Sequence, residues 1–293
     1  TWTLENLMSS NEVNCIAAVG RTGNPEQFFE FRICNTVDEI RQCSRSAYYP
    51  VEISGIVRHI MQNDARYAVI GLPCVCKAIR LAQEKLPKLK KRIHYILGLT
   101  CGHSCSKYFG EYICALGGGD PHNMKELLFR TKDKSNPQPA NNHGSYFKSG
   151  TGKTEKSRYV NWQDGVGFAF MNGLFQIPGC FYCDDVFAEC ADATFMDAWL
   201  PGYSNRPEGH SIVLVRDVRI KDLLETGVEK GLPIMPLSRD KLIQSQRGGI
   251  IRKSENREIH LKDAVKNGKE IPARRSPLNS FNGSFFRKKG VQL

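Results

Sequence analysis

Two stretches of this chain share one plan, and that plan restricts the fold more than any other feature of the sequence. "YAVIGLPCVCKAIRLAQEKL" (67–86) runs from a β-branched, apolar segment through Gly71-Leu72-Pro73 into a helical pattern, with Pro73 where a first helical turn accepts it. "RIHYILGLTCGHSCSKYFGEYICALGG" (92–118) again passes from strand through sharp turn to helix. Units of this kind in series bury a sheet between helices, which predicts an α/β fold with a mixed, largely parallel sheet and flanking helices. Flanking segments agree. "NCIAAV" and "FFEFRI" read as strands, "TVDEIRQC" as a helix capped by Thr36, and "EISGIVRHIMQ" as an amphipathic helix. Further on, "SIVLVR" reads as a strand, while "IKDLLETGVEKG" and "SRDKLIQSQRGG", the latter with a Ser238 cap, read as helices.

With 293 residues, 41% of them hydrophobic, the chain is long enough for one large domain or two ordinary ones. We expect an α/β part over 1–130, a polar loop or junction over 131–164, a second α/β part over 165–250 and a basic tail over 251–293, so that the C-terminal part is smaller and α-rich. The 131–164 stretch, rich in Pro, Gly and polar residues, lacks periodicity. Gly165 to Cys183 carries no charge over 19 residues. Asn172, Gln176, Pro178 and three glycines interrupt it, so a buried helix followed by a turn is expected and no transmembrane segment.

The net charge of +11 is uneven: Arg274, Arg275, Arg287, Lys288 and Lys289 follow the last acidic residue, Glu270, as a solvated tail would. No nucleic-acid partner is expected. Eleven cysteines are an odd number with no secretory h-region ahead of them, so reduced thiols in the cytoplasm are expected rather than a disulfide scaffold. The first residue is Thr1 rather than Met, as in a processed form or a fragment.

The thiols carry the chemistry. Cys180 and Cys183 form a C-x2-C pair behind Pro178-Gly179, a spacing that lets two sulfurs converge on one metal or cluster from a tight turn. One pair is half a site, and Cys74, Cys76, Cys101, Cys105 and Cys190 are candidates for the rest. Cys74 and Cys101 each follow a predicted strand and would emerge at the same sheet edge, where α/β ligand sites form. Zinc and an iron–sulfur cluster both satisfy this spacing. Cys15, Cys34, Cys43 and Cys114 read as small buried hydrophobes. Cys74, at the start of a helix, should be acidified by the dipole. Asp184 and Asp185 read as the cap of a helix through "VFAEC", and carboxylates beside Cys183 should lower the potential of any redox centre there. His103 in "CGHSC" reads either as a cofactor or metal contact or as a hydrogen-bonding turn histidine. "SGTGKT" (149–154) lacks the leading glycine and preceding strand of a phosphate-binding P-loop and reads as a basic loop whose Lys153 could touch a cofactor phosphate.

Taken in order, "VIGLPC", "ILGLTCGHSCSKYF" and "GCFYCDDVFAECADATFMDAW" resemble the coenzyme F-420 hydrogenase/dehydrogenase beta-subunit family of iron–sulfur flavoproteins. "RQCSRSAYYPVEISGIVRHI" and "GHSIVLVR" extend the similarity over roughly residues 13 to 250. The resemblance implies FAD and a 4Fe-4S cluster, with Cys74, Cys101, Cys180 and Cys183 as cluster ligands. It implies flavin neighbours at Ser46, Tyr48, Gly71 and Pro73, and Gly102, His103 and Lys153 complete the candidate cofactor contacts. The flavin would belong to the first part of the chain and the cluster to the third. Met196 stands where the family usually has Gly before its Asp-Ala-Trp element. The function implied is an oxidoreductase coupling two-electron flavin chemistry to one-electron transfer, linked to coenzyme F-420 or ferredoxin. Its expected partners are ferredoxin or another redox subunit and a small-molecule redox substrate. Two other readings stand beside it: an electron-relay subunit of a larger complex, and a non-catalytic protein with a four-cysteine structural zinc.

Overall fold

The computed structural model describes residues 1–132, 135 and 137–271. The chain opens with α1 (Trp2–Ser9), the hairpin β1 (Cys15–Asn24) and β2 (Gln27–Cys34), then α2 (Val37–Gln42) and α3 (Ser54–Gln62). The two strand–turn–helix units follow as β3 (Tyr67–Gly71) into α4 (Pro73–Lys85), then α5 (Pro87–Arg92), β4 (Ile93–Leu99) and α6 (Tyr108–Leu116). Next come β5 (Met124–Thr131), β6 (Gly144–Ser149), β7 (Lys156–Val160) and α7 (Val166–Met171). The remainder is β8 (Ala193–Asp197), β9 (Ser211–Val215), α8 (Val218–Glu229), α9 (Arg239–Ile251), a π-helical segment over Arg252–Asn256 and α10 (Arg257–Lys266).

The main sheet has the order β2-β1-β3-β4-β8-β9. Its four inner strands β1, β3, β4 and β8 are parallel, and β2 and β9 add antiparallel edges. Alternate residues of the inner strands serve two cores: Ile16, Ala18, Ala68 and Leu97 pack with α1 and α8, while Ala17, Val69 and Ile96 pack with α3, α4 and α5. Burial on both faces is why these strands read as continuous apolar runs. Local signals are met where they were strongest. Thr36 closes a capping box with Glu39, Pro73 opens α4 at its first turn, and Ser238 caps α9 through Lys241 N–H.

Four readings change. Residues 131–164 are not a loop throughout, because β6 and β7 join β5 in a second, antiparallel sheet of three strands. One face of that sheet is wet, so its alternation is carried by few apolar residues, Phe147 and Val160 among them, and polar neighbours hide it. Asp184 and Asp185 cap no helix: that stretch is irregular, and the Asp185 carboxylate accepts the Glu189 N–H at 3.1 Å in a local turn. In the uncharged stretch α7 and a 3-10 turn (Pro178–Tyr182) form, but Phe168, Met171 and Leu174 are exposed rather than buried. No helix among the described residues is long and apolar enough to cross a membrane. Finally, the beginning of the basic tail is folded, since 252–266 continue α9 as helix. Arg274, Arg275, Arg287, Lys288 and Lys289 lie outside the described residues.

Asp192 ties β8 to the parallel core. Its carboxylate accepts from Arg80 at 2.5 Å and from Ile96 N–H at 2.7 Å, and its own N–H donates to Ile96 O at 2.8 Å. Loss of that carboxylate leaves a backbone donor and a guanidinium without their acceptor. Asp192→Ala should therefore destabilise the chain by about 2–3 kcal/mol, read as a lower urea midpoint with an unchanged slope.

Candidate functional site

Parallel strands end at a common edge, so the turns leaving them are neighbours. β3 and β4 run in register from Ala68↔Tyr95 to Gly71↔Gly98, and β4 continues beside β8 to Leu99↔Phe195. Gly98 permits this close layer: a Cβ there would stand 2.4 Å from Ala188 Cβ. Beyond the strand ends lie Cys74 in the first turn of α4, Cys101 after β4, and Asp197 at the end of β8. The Cys180–Cys183 turn reaches the same edge through Ile177 N–H to Ser104 O at 3.1 Å and Ser104 N–H to Cys180 Sγ at 3.3 Å.

These four thiols are near enough to act on one another electrostatically. Burial first, then the neighbouring sulfurs Cys180, Cys74 and Cys183, push the Cys101 thiol up to about 12 against the pull of Lys253. Cys180 is raised by burial, with Cys183 and Cys74 adding to it. Cys74 is raised as well, first by desolvation and then by Cys183, so the acidification expected from its helix terminus does not occur. The Val75 N–H and Lys253 pull the other way and lose. No three His, Cys, Asp or Glu side chains among the described residues are close enough to share one metal ion. The other candidate thiols are taken up in packing, although Cys105 still feels Cys180 and Cys101, and Cys76 feels Cys74. Cys76 is buried beneath α4 with its thiol donating to Gly71 O at 3.4 Å, Cys105 is buried against Phe109, and Cys190 packs at the α4 side of the sheet. Cys34 and Cys43 lie 3.6 Å apart, the former buried and the latter half-buried.

Lys253 is the residue that sequence reasoning missed. Expected in a solvated tail, it is 4% exposed, and its ammonium donates to Cys183 Sγ at 3.1 Å and to Asp185 O at 2.6 Å. The segment is held down by Arg252 on Met171 O, by Arg257 on Asp184 at 3.5 Å and by His260 against the Phe181 ring at 4.4 Å. No local pattern signals this. A π-helical segment interrupts the periodicity that would have marked the buried side.

A cavity of about 810 Å³ is lined by Arg45, Ser46, Arg130, Lys132, His143 and Asp197, among others. A register shift in β5 between Leu128 and Thr131 puts Arg130 at φ 47°, and the bulge aims its guanidinium at Asp197, 2.6 Å away. Tyr48 lies beneath, within hydrogen-bonding reach of Arg130, its hydroxyl pushed up by burial. From Tyr48 a series of ring contacts leads to the turn after Cys101: Tyr48 to Phe170 at 5.0 Å between ring centroids, and Phe170 to His103 at 4.3 Å. His103 is buried, and neither ring nitrogen meets a hydrogen-bond partner among the described residues, so the turn-bonding reading fails. Of the remaining candidates, Gly71 and Pro73 form the turn under Cys74, and Gly102 lies between Cys101 and His103. Lys153 stands exposed on the β6–β7 turn and is not among the cavity-lining residues.

Burial holds two imidazoles neutral. His103 is pushed down to about 4 by burial, then by Arg252 and Lys253, and His143 to about 4 by burial, then by Arg130 and Lys132. The unfolded chain would take up those protons near the ordinary value of about 6.5. Stability is therefore full above that pH and falls as pH drops toward the folded value. Melting temperatures measured down this range should fall less steeply for His143→Gln than for the parent chain. Equal slopes would contradict the placement.

The comparisons with known proteins agree with this architecture. Residues 64–235 match the family model for the C terminus of the coenzyme F420 hydrogenase/dehydrogenase beta subunit. The chain is 28% identical over 101 residues to the F subunit of the F(420)H(2) dehydrogenase of Methanosarcina mazei; the match covers 34% of this chain and spans 28% of that protein's length. Its fold is similar to a chain in the xenon-derivatised F420-reducing [NiFe] hydrogenase complex from Methanosarcina barkeri, with TM-score 0.64 and 14% identity, covering 94% of this chain and 88% of the other. The family match extends over more than half the sequence and includes Cys74, Cys101, Cys180 and Cys183: the chain belongs to the coenzyme F420 hydrogenase/dehydrogenase beta-subunit family, a family of oxidoreductases.

Proposed function

We propose that the chain is an electron-transferring oxidoreductase subunit that holds a 4Fe-4S cluster on Cys74, Cys101, Cys180 and Cys183 and FAD in the cationic cavity beside it. One observation supports this reading: Cys101, Cys74, Cys180 and Cys183 act on one another near the sheet edge where β8 ends at Asp197, and Asp197 lines a cavity together with Arg45, Arg130 and Lys132. The donors suit an anionic cluster. Four thiols come from three separate turns, and two of the sulfurs already accept hydrogen bonds, from Ser104 N–H and from Lys253. Four thiolates around one zinc would stand about 3.8 Å apart, given zinc–sulfur bonds of about 2.3 Å. A cluster, which offers each cysteine a separate iron, suits thiols that do not close on one ion. Membership of an oxidoreductase family favours the redox reading over a structural zinc.

A flavin exchanges electrons singly or in pairs, whereas a cluster passes one at a time, so together they supply the conversion between hydride and single-electron chemistry. The chain's own residues provide the setting. Arg45, Arg130 and Lys132 offer cationic donors for phosphate or an anionic ring, and Asp197 with Tyr48 fixes the Arg130 guanidinium in one orientation. Phe170 packs against His103, Phe109 and Trp162. Burial keeps His103 neutral. The relatives' names point to coenzyme F420 as the two-electron partner, and a ferredoxin or a further redox subunit, in the cytoplasm, suits the one-electron side.

The purified chain, reconstituted anaerobically with iron, sulfide and FAD, should be brown and carry flavin and about four irons, as this cluster type requires. Cys180→Ser and Cys183→Ser should lose the iron but keep the fold, while Cys105→Ser should keep it. A colourless chain holding zinc would sink the proposal. Arg130→Gln should weaken flavin binding about tenfold, the loss of one charge-assisted hydrogen bond, measured by fluorescence quenching. Reduction of the holo-chain by reduced coenzyme F420 against reduced ferredoxin separates a self-contained reductase from a relay.

A further inference from the structure

We propose that Lys253 sets the potential of the redox centre by a charged hydrogen bond to Cys183, an inference that rests on the cluster reading above. A buried ammonium is costly unless an anion or several acceptors compensate it. Among the described residues no carboxylate lies within ion-pair distance of Lys253; its acceptors are the Asp185 carbonyl at 2.6 Å and the Cys183 sulfur at 3.1 Å. A neutral thiol is a weak acceptor, so the arrangement is complete only when the sulfur carries negative charge, as a metal-bound thiolate does.

The neighbouring cations have other work. Arg252 bonds Met171 O and Gln176, and Arg257 bonds Asp184 and Glu258. Lys253 is therefore the cation aimed at a sulfur. It sits in the π-helical segment between α9 and α10, a local geometry frequent at functional sites. Adding an electron to the centre increases its negative charge, which a fixed ammonium at hydrogen-bond distance stabilises, so Lys253 raises the potential. That sign is opposite to the one expected from the carboxylates alone. Asp184 is paired with Arg257 and Asp185 is engaged by Glu189 N–H, which moderates both. Lys253 acts through Cys183 and is a positioning residue.

The test uses the full chain, reconstituted with iron and sulfide, and follows the cluster by electron paramagnetic resonance in a redox titration. Lys253→Met should lower the ratio of reduced to oxidised cluster about tenfold at the parent midpoint, equivalent to about 59 mV for a one-electron couple. Lys253→Arg, which keeps the charge, should restore most of the shift, and Lys253→Gln, which keeps a neutral donor, should fall between. If Lys253→Met takes up no cluster, the Gln variant carries the measurement. A Met or Gln variant with full iron content and the parent midpoint overturns the inference. Failure of the parent chain itself to take up iron and sulfide overturns the cluster reading first, and iron analysis tells the two failures apart.

Discussion

Parallel pairing of β3, β4 and β8 is the constraint on which the rest depends. Strands that run the same way in one sheet release their chains at one edge, and the residues just beyond them are forced into proximity. Here those residues are Cys74, Cys101 and the Asp197 end of β8. The register is fixed by backbone bonds, by the absence of a side chain at Gly98, and by Asp192 gripping both Arg80 and Ile96 N–H. A shift of one residue would turn every inner-strand side chain to the opposite core. The placement of the thiols is thus secured by packing far larger than the site.

Around this edge the molecule holds polar and charged groups in buried or partly buried positions. Lys253 is buried with a sulfur for a partner, Arg130 is held by a bulge over a cavity shared with Arg45 and Lys132, and His103 is kept neutral with both nitrogens unmatched among the described residues. Each would be a liability in an inert core. Arg45, Arg130 and Lys132 make the cavity cationic, and Lys253 brings its ammonium to the Cys183 sulfur. That the chain belongs to an oxidoreductase family is consistent with the arrangement.

Much of this was legible locally. The Gly-Leu-Pro turn, the Thr36 and Ser238 caps and the apolar runs of β3 and β4 follow from rules that reach only a few residues along the chain, and the structure contains them as read. The readings that changed needed distant information. β6 and β7 were hidden because a half-wet sheet needs few apolar residues, and the acids after Cys183 looked like a cap until Glu189 and Arg257 were found to engage them. Cys74 shows the competition directly, since a helix terminus favours its thiolate but desolvation and a neighbouring sulfur outweigh it.

The sequence by itself determined the strand–turn–helix units, and therefore that Cys74 and Cys101 leave strand ends while Cys180 and Cys183 share a tight turn. Periodicity and turn chemistry are local, so a single chain displays them openly. Only the tertiary structure decided that β8 would pair with β4, that a bulge would aim Arg130 at Asp197, and that residue 253 would fold back onto residue 183. Those contacts join residues tens of positions apart, and their free energy comes from burying surfaces and matching charges that meet only once the sheet has formed.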